Sequence, residues 1–236
     1  MEYRLEYERW LKLADEETVK ELTAISGDEN EVKDRFYKEL EFGTAGLRGV
    51  LGAGSNRMNT YVVGQATQGL ANQLLATNPG KDDLSVVIAY DSRHKSDVFA
   101  KEAAMILAAN GIKVYLFEEL KPVPELSFSV RHLKTDAGIA ITASHNPAKY
   151  NGYKVYGSDG AQLNPELASI VLEEIGKIDL FADVKKCDLE EAIQKGMVVM
   201  IGDEVEEAYL DEVQKQCINP ELAKEKGNTL KFVYTP

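Results

Sequence analysis

The chain has 236 residues, of which 44% are hydrophobic, enough for one domain with a substantial core or for a domain and part of another. The formal net charge of −12, from 39 acidic and 27 basic residues, argues against a nucleic-acid partner, because phosphate binding needs clustered lysine and arginine. No apolar run approaches the ~20 residues that cross a bilayer, and the N-terminus lacks a secretory pattern, so we expect a cytoplasmic protein without a membrane partner.

The first forty residues predict two amphipathic helices separated by Gly27-Asp28. Their apolar faces consist of Tyr3, Tyr7, Trp10, Leu11 and Leu13, and of Val32, Phe36, Tyr37 and Leu40. A glycine-rich stretch follows from Gly43 to Gly54, but it does not fit the G-x-G-x-x-G fingerprint of dinucleotide-binding folds. An apolar stripe from Val63 to Leu75 then predicts a helix that ends at Asn78-Pro79-Gly80.

Strand and helix patterns alternate in the next part of the chain. We predict a helix that Ser96 caps and Asn110-Gly111 ends, and a short helix over Leu126–Leu133. The predicted buried strands are Leu84–Tyr90, Lys113–Phe117 and Gly138–Thr142. This order favours parallel pairing, so we expect an α/β fold: a three-layer α/β/α domain with a mixed, mostly parallel sheet.

The last third of the chain predicts a hairpin, two helices and two more strands. The hairpin joins Lys154–Tyr156 to Ala161–Leu163, and Asn164-Pro165 opens a helix with a cap residue and a proline. The later segments are a strand over Met197–Ile201, a helix over Asp203–Cys217 with Val205, Tyr209 and Val213 facing inward, and a buried strand over Leu230–Tyr234.

The loop after the third strand carries the most chemistry. It reads Thr142-Ala143-Ser144-His145-Asn146-Pro147 and runs on to Asn151-Gly152-Tyr153-Lys154. Strand ends that open into loops are where open α/β sheets place reacting groups, and here one loop offers a hydroxyl, an imidazole, an amide and an ammonium. Pro147 excludes the helical conformation for Asn146, and we expect Gly152 to permit a tight backbone turn.

This loop resembles the phosphoserine loop of the α-D-phosphohexomutases, the superfamily of phosphoglucomutase and phosphomannomutase. Three further blocks agree in order: Phe42-Gly-Thr-Ala-Gly-Leu-Arg48-Gly49, Tyr90-Asp-Ser-Arg93 and Pro122-Val-Pro-Glu-Leu126. The resemblance implies a first domain over residues 1–202 that includes an N-terminal helical extension and the phosphoserine loop. Residues 203–236 are then expected to hold the truncated start of a second, similar domain.

The resemblance implies a phosphoryl carrier and its supporting groups. Ser144 occupies the phosphoserine position, and Arg48 and Lys154 match positions with catalytic roles, Lys154 as a general base if nearby cations lower its pKa. His145 also belongs to the implied catalytic set, and with Asn146 it can donate hydrogen bonds to phosphate oxygens. The implied substrate is a phosphosugar, with a sugar bisphosphate as intermediate and activator.

Arg93 is expected to hold the loop or the phosphate environment, and an ordinary ion pair with Asp91 or Asp97 is its simpler interpretation. The resemblance implies Mg²⁺ in the full-length enzyme. No DGDGDR-type aspartate loop occurs in this sequence, so the only ligand offered here is Ser144 through its phosphate, and we expect little or no stable magnesium binding. His94 and His132 lack metal-ligand spacing and are interpreted as structural. Cys187 and Cys217 are expected to be free thiols.

Several alternatives remain open. Glucose is the sugar that the FGTAGLRG wording favours, with phosphomannose and phosphopentose as competitors. A non-catalytic phosphosugar-binding module would keep the same fold. A serine hydrolase fits poorly, because there is no G-x-S-x-G elbow and an imidazole adjacent in sequence rarely points at the preceding hydroxyl. We expect the 236-residue polypeptide alone to be inactive as a mutase.

Overall fold

The computed structural model describes residues 2–43 and 46–234, which group into two compact units that divide between Gly202 and Asp203. The helices of the first unit are α1 (Glu2–Leu13), α2 (Glu16–Ala24), α3 (Glu29–Phe36), α4 (Thr60–Thr77), α5 (Ser96–Ala109), α6 (Val123–His132), α7 (Pro165–Ile175) and α8 (Leu189–Gln194). Its strands are β1 (Phe42–Gly43), β2 (Gly46–Val50), β3 (Ser85–Tyr90), β4 (Lys113–Phe117), β5 (Ala137–Ile141), β6 (Tyr150–Gly157) and β7 (Val198–Ile201).

All seven strands form one mixed sheet in the order β1-β2-β6-β5-β3-β4-β7. Strands β5, β3, β4 and β7 are parallel neighbours, whereas β6 runs antiparallel to both β5 and β2. Tyr90 of β3 pairs with Ile141 of β5, so these two strands end side by side. Their following loops therefore leave the sheet at the same edge, and these are the loops that contain Arg93 and Ser144.

Helices cover both faces of the sheet, which confirms the predicted α/β class. Alternate strand residues such as Ile88 and Ile139 pack with α4 and α5 in the main core, where Phe99 is fully buried. On the other face, α6 approaches the sheet so closely that a Cβ on Gly138 would lie 2.5 Å from Val130 Cγ2. Burial of continuous apolar strands between two helical layers is typical of parallel sheets.

The N-terminal helices pack on this domain through an aromatic cluster. Trp10 is fully buried and meets Phe36, Tyr61 and Phe181 edge to face, with ring centroids 5.8, 5.1 and 5.3 Å apart. Such pairs add to the stabilisation that burial of the rings already gives. The cluster joins the extension to α4 through Tyr61 and to the segment after α7 through Phe181. Cys187 and Cys217 are free thiols.

Most predicted elements of the first unit are present, with several differences. Helices α2 and α8 were not predicted, and neither were β1 and β2, which lie in the glycine-rich stretch. The predicted hairpin is reduced to a single bridge between Tyr156 and Gln162, because β6 pairs with β2 and β5 instead. Ser96 does not cap α5: the cap residue is Lys95, and the Ser96 hydroxyl bonds Asp91 and Asn151.

The second unit contains α9 (Asp203–Lys215), α10 (Pro220–Lys226) and a short 3-10 turn over Gly227–Thr229. The predicted strand over Leu230–Tyr234 is wrong for the described residues. Phe232 and Val233 are 85% and 92% exposed, and the described part of this unit holds no other strand to which their backbone groups could pair. Val213 is also exposed rather than inward.

Among residues 2–43 and 46–234, no helix combines the length and apolar character needed to cross a membrane.

Candidate active site

Ser144 lies in a tight loop directly after β5. Its backbone is left-handed, with φ of 57°, a conformation that costs a residue with a Cβ about 1–2 kcal/mol. The loop is closed by two local hydrogen bonds, from Ser144 N to Thr142 Oγ1 (2.9 Å) and from Asn146 N to the Ala143 carbonyl (3.1 Å). The Ser144 side chain is exposed, so the loop presents its hydroxyl at the edge of the sheet.

Arg93 holds this loop from the neighbouring strand end. Its Nη2 donates to the carbonyls of Ser144 (2.6 Å) and Asn146 (2.7 Å), and its Nη1 donates to those of Pro147 and Tyr150 (both 3.1 Å). The remaining Nε lies 3.5 Å from the Asp91 carboxylate, which also accepts from the Arg93 backbone N–H. The guanidinium therefore directs all its N–H groups at the loop and Asp91. Both sequence interpretations of Arg93, the loop and the Asp91 ion pair, describe real contacts.

Arg48 and Lys154 are brought together by the pairing of β2 with β6. Arg48 is directly opposite Gly152, and Lys154 lies two residues further along the same face of β6. Thr44 and Ala45, which precede this part of β2 in the FGTAGLRG block, lie outside the described residues. Arg48 Nη1 donates to Asn146 Oδ1 at 3.0 Å, so it reaches the Ser144 loop as well.

The position of Lys154 changes its acidity. Burial lowers the pKa of the Lys154 ammonium, and the positive charge of Arg48 lowers it further, while the Asp91 carboxylate acts in the opposite direction. The two lowering effects both disfavour the charged form of the amine. A larger fraction of Lys154 is therefore neutral at a given pH, as a general base requires.

Gly152 provides close packing and not the turn that the sequence predicted. It lies within β6, where a Cβ would approach the Thr142 carbonyl oxygen to 2.6 Å and that of Leu47 to 2.8 Å. Only a residue without a side chain allows β2, β6 and the start of the Ser144 loop to come this close. The glycine thus sets the distance between Arg48 and the loop.

His145 lies nearer to Ser144 than its sequence position indicated. Its Nδ1 is 3.3 Å from Ser144 Oγ. The expectation that an adjacent imidazole rarely points at the preceding hydroxyl does not hold here, since the two side chains are in contact. In the described part of the chain, however, no third group bonds the His145 ring, so the orienting member of a hydrolase triad is missing there.

A cleft of about 350 Å³ lies between Arg93 and Ser144. One wall is formed by the loop after β3 and the other by the Ser144 loop; the lining residues are Asp91, Ser92, Arg93, His94, Ser144, Asn146 and Ala148. Ser92 was not singled out in the sequence and His94 was interpreted as structural. Both residues are next to Arg93, just after the carboxyl end of a buried strand, and this position is the sequence signal that could have predicted their place in the cleft.

The described residues do not by themselves fit a magnesium site. Nowhere in residues 2–43 and 46–234 do three or more histidine, cysteine, aspartate or glutamate side chains cluster as ligands. Mg²⁺ prefers near-octahedral oxygen ligands, and the Ser144 oxygen supplies one at most.

Known proteins with similar sequences belong to one enzyme family. The family described as "Phosphoglucomutase/phosphomannomutase, alpha/beta/alpha domain I" matches residues 39–181. The phosphoglucomutase of Staphylococcus saprophyticus is 41% identical over 87% of this chain and 36% of its own length. That of Staphylococcus aureus USA300 is 46% identical over 73% of this chain and 31% of its own length. The chain thus spans about a third of the relatives it matches.

Solved structures show the same architecture. A Thermus thermophilus protein provisionally named a phosphomannomutase is 31% identical with a TM-score of 0.55, over 67% of this chain and 35% of that one. A phosphoglucomutase/phosphomannomutase family protein of Burkholderia thailandensis, 22% identical, shares the fold with a TM-score of 0.54 over 72% of this chain and 34% of its own. The chain belongs to the phosphoglucomutase/phosphomannomutase family and contains its first α/β/α domain.

Proposed function

We propose that Ser144 is the phosphoryl carrier of a phosphosugar mutase and that residues 1–202 form the phosphate-carrying domain of that enzyme. The observation that carries the proposal is the exposed Ser144 hydroxyl, held in a left-handed turn by four backbone contacts from Arg93. Strain of this kind persists only where the surrounding structure over-determines it, and it concentrates at functional sites. Family membership of the matched domain supports the same assignment.

The proposed reaction uses the described groups in balanced steps. The phosphoryl group on Ser144 passes to a free hydroxyl of a sugar phosphate, and neutral Lys154 takes the proton of that hydroxyl. The P–O bond to Ser144 breaks, and its oxygen receives a proton from His145, whose Nδ1 lies 3.3 Å away. The sugar is now bisphosphorylated, and after it reorients, its other phosphoryl group returns to Ser144 with the proton transfers reversed.

Charge stabilisation falls to Arg48 and Asn146 in this proposal. Phosphoryl transfer depends mainly on positioning and on neutralising the equatorial oxygens. A guanidinium offers them two parallel donors, and Arg48 is already directed at the Ser144 loop by its bond to Asn146. Arg93 acts on a bound phosphate through the loop that it holds.

Glucose phosphate is the sugar that we propose, because the staphylococcal relatives are named phosphoglucomutases. Mannose phosphate is the second candidate, since a Thermus thermophilus neighbour carries that name. The Mg²⁺ requirement, a second, similar domain that begins at residue 203 and the cytoplasmic location remain predictions. We expect turnover from a longer polypeptide that contains this chain and has the full length of its relatives.

The test is a coupled assay of glucose 1-phosphate conversion with that longer polypeptide, combined with phosphopeptide mapping after incubation with glucose 1,6-bisphosphate. We expect turnover, phosphate on Ser144, and loss of both in Ser144→Ala. A mapped phosphate elsewhere, with full activity in Ser144→Ala, would refute the proposal. If the protein is a non-catalytic binding module, it should bind the phosphosugar without turnover. If it is a serine hydrolase, a fluorophosphonate probe should react with Ser144. The 236-residue chain alone is expected to show no turnover.

A further inference from the structure

Asn151 is a buried amide whose hydrogen-bonding groups are all engaged. It lies in β6, is fully excluded from solvent, and pairs with Gly49 of β2. Its Nδ2 donates to the His94 carbonyl and to Ser96 Oγ, both at 3.0 Å. Its Oδ1 accepts from the Gly152 N–H at 2.7 Å. A buried amide with this degree of satisfaction fixes the relative position of the segments it joins.

The contacts of Asn151 fall on either side of a strained residue. Lys95 has a left-handed backbone with φ of 63° and lies between the two residues whose atoms accept from Asn151. Left-handed backbone at a lysine is unfavourable and is kept only by surrounding contacts. Asn151 supplies two of those contacts from a strand 55 residues away along the chain.

The contacts continue from Ser96 to the group that holds the Ser144 loop. Ser96 Oγ donates to Asp91 Oδ1 at 3.0 Å, and the same oxygen accepts from the Arg93 backbone N–H at 3.0 Å. A continuous path therefore runs from β6 through Asn151, Ser96 and Asp91 to Arg93. Lys154 is three residues beyond Asn151 in the same strand.

We propose that Asn151 is a positioning residue that sets the strand of Lys154 against the turn of Arg93, and through Arg93 against the loop of Ser144. This inference rests on the proposed function and deepens it, because it names what keeps the phosphoryl carrier and the general base in register. Asn151 itself does not touch the reacting atoms. Its effect is exerted on the position of the Arg93 turn and, through the bonds of Arg93, on the Ser144 loop.

The experiment compares Asn151→Ala and Ser96→Ala with a control, Asn110→Ala. Asn110 is also a hydrogen-bonded amide, at the end of α5, bonding Gln68 Oε1 (3.0 Å) and the Ile106 carbonyl (2.8 Å). It lies at the opposite end of this helix, about 20 Å from Ser96 for 14 residues. Its loss removes comparable hydrogen bonds without touching the path to Arg93.

The first readout is amide hydrogen exchange of peptides covering residues 142–150 in the 236-residue chain. We expect exchange about tenfold faster in Asn151→Ala and about threefold faster in Ser96→Ala, with no change in Asn110→Ala, because only the first two release the loop locally. Unchanged exchange in both site variants, or equal acceleration in Asn110→Ala, would overturn the proposal. If Asn151→Ala does not fold, Ser96→Ala alone decides.

The second readout is mutase kinetics in the polypeptide of the relatives' length. Misplacement of reacting groups lowers kcat more than it raises KM, so we expect kcat of Asn151→Ala to fall about 30-fold or more with KM within about threefold. A wild type without turnover but with the expected exchange pattern would refute the proposed function and leave this inference standing. If the wild type is active but amide exchange in the loop is unchanged by both substitutions, the proposed function stands and this inference is refuted.

Discussion

The guanidinium of Arg93 bonds the backbone of Ser144 and not its side chain: Nη2 lies 2.6 Å from the Ser144 carbonyl oxygen. The residue that carries the candidate phosphate is thus fixed through its main chain. Its hydroxyl remains at the cleft, with His145 Nδ1 at 3.3 Å as its single described side-chain partner. A carrier that is held in this way can exchange a phosphoryl group without changing the contacts that position it.

Replacement of Arg93 by lysine should destabilise both the loop and the reaction. Lysine has no planar fork, so it cannot bond four carbonyls at once. We expect a loss of about 2 kcal/mol in the free energy of unfolding, measured by urea titration, because hydrogen bonds to a charged donor are lost from a nearly buried site. Turnover should fall about 100-fold. The control Arg131→Lys removes one exposed contact to the Ser127 carbonyl and should change stability by less than about 0.5 kcal/mol.

Ser144→Gly should stabilise the fold while it removes the carrier. A left-handed serine costs about 1–2 kcal/mol, and the greater freedom of glycine in the unfolded chain offsets about 0.5–1 kcal/mol of that. A net gain of about 0.5–1 kcal/mol in urea unfolding is therefore expected. Lys134 has φ of 56° on the protein surface and gives the matched control, since Lys134→Gly should be stabilised similarly without loss of activity. If Ser144→Gly is markedly less stable than the wild type while Lys134→Gly is not, the claim that Ser144 has a strained backbone is contradicted.

The pH profile of turnover should depend on Arg48. Burial and the Arg48 charge both lower the pKa of the Lys154 ammonium. Lys154 must be neutral to accept a proton, so activity is lost as the pH falls through its pKa. In Arg48→Gln that pKa rises, and the acidic limb of kcat should move to higher pH. Arg48→Lys keeps the charge and should leave the limb in place even where kcat is lower. An unshifted limb in Arg48→Gln would remove Lys154 from the base role.

Gly152→Ala should disrupt the site by overpacking. The new methyl group would lie 2.6 Å from the Thr142 carbonyl oxygen and 2.8 Å from that of Leu47, both backbone atoms of neighbouring segments. Overpacking of this kind costs about 1–3 kcal/mol, which urea unfolding measures. Gly176→Ala is the control, because the nearest atom, the Leu172 carbonyl oxygen, is 3.5 Å away and the backbone is helical. Equal stability of the two variants would show that β2 and β6 can separate without cost.

Trp10→Ala should destabilise the first unit more than any surface change. The indole is fully buried and contacts three aromatic rings. Removing such a ring costs about 3–5 kcal/mol, measured by thermal or urea unfolding. Leu5→Ala on the same helix, where the side chain is 68% exposed, should cost less than about 0.5 kcal/mol. Comparable losses in both variants would show that the extension does not depend on this cluster.

The sequence predicted the central sheet well because its strands carry their own signal. Lys113–Phe117 is a strand over the residues predicted, and β3 and β5 differ by one residue at their ends. Strand β2 was not predicted because glycine-rich segments show neither β-propensity nor alternation. Leu230–Tyr234 shows the opposite error: an apolar run satisfies the pattern of a strand, but a strand forms only where a partner is available.

The candidate site was predicted in its chemistry and not in its geometry. The motif around Ser144 and the Tyr90–Arg93 block indicated the side chains of the candidate site. The left-handed backbone of Ser144 and the nearness of His145 came from the structure, because neither has a local sequence signature. Asn151 was missed for a related reason: its bonds to the loop before α5 span more than 50 residues, and sequence patterns report such contacts poorly.

The aromatic contact between Trp10 and Phe181 has a consequence for synthesis of the chain. Trp10 is translated 171 residues before Phe181, the ring against which part of its indole rests. Synthesis proceeds at about 5–20 residues per second, so roughly 10–30 s pass between the synthesis of Trp10 and that of Phe181. During this interval the emerging N-terminal helices expose an incomplete apolar surface, so chaperones that bind nascent chains have a defined window in which to protect it.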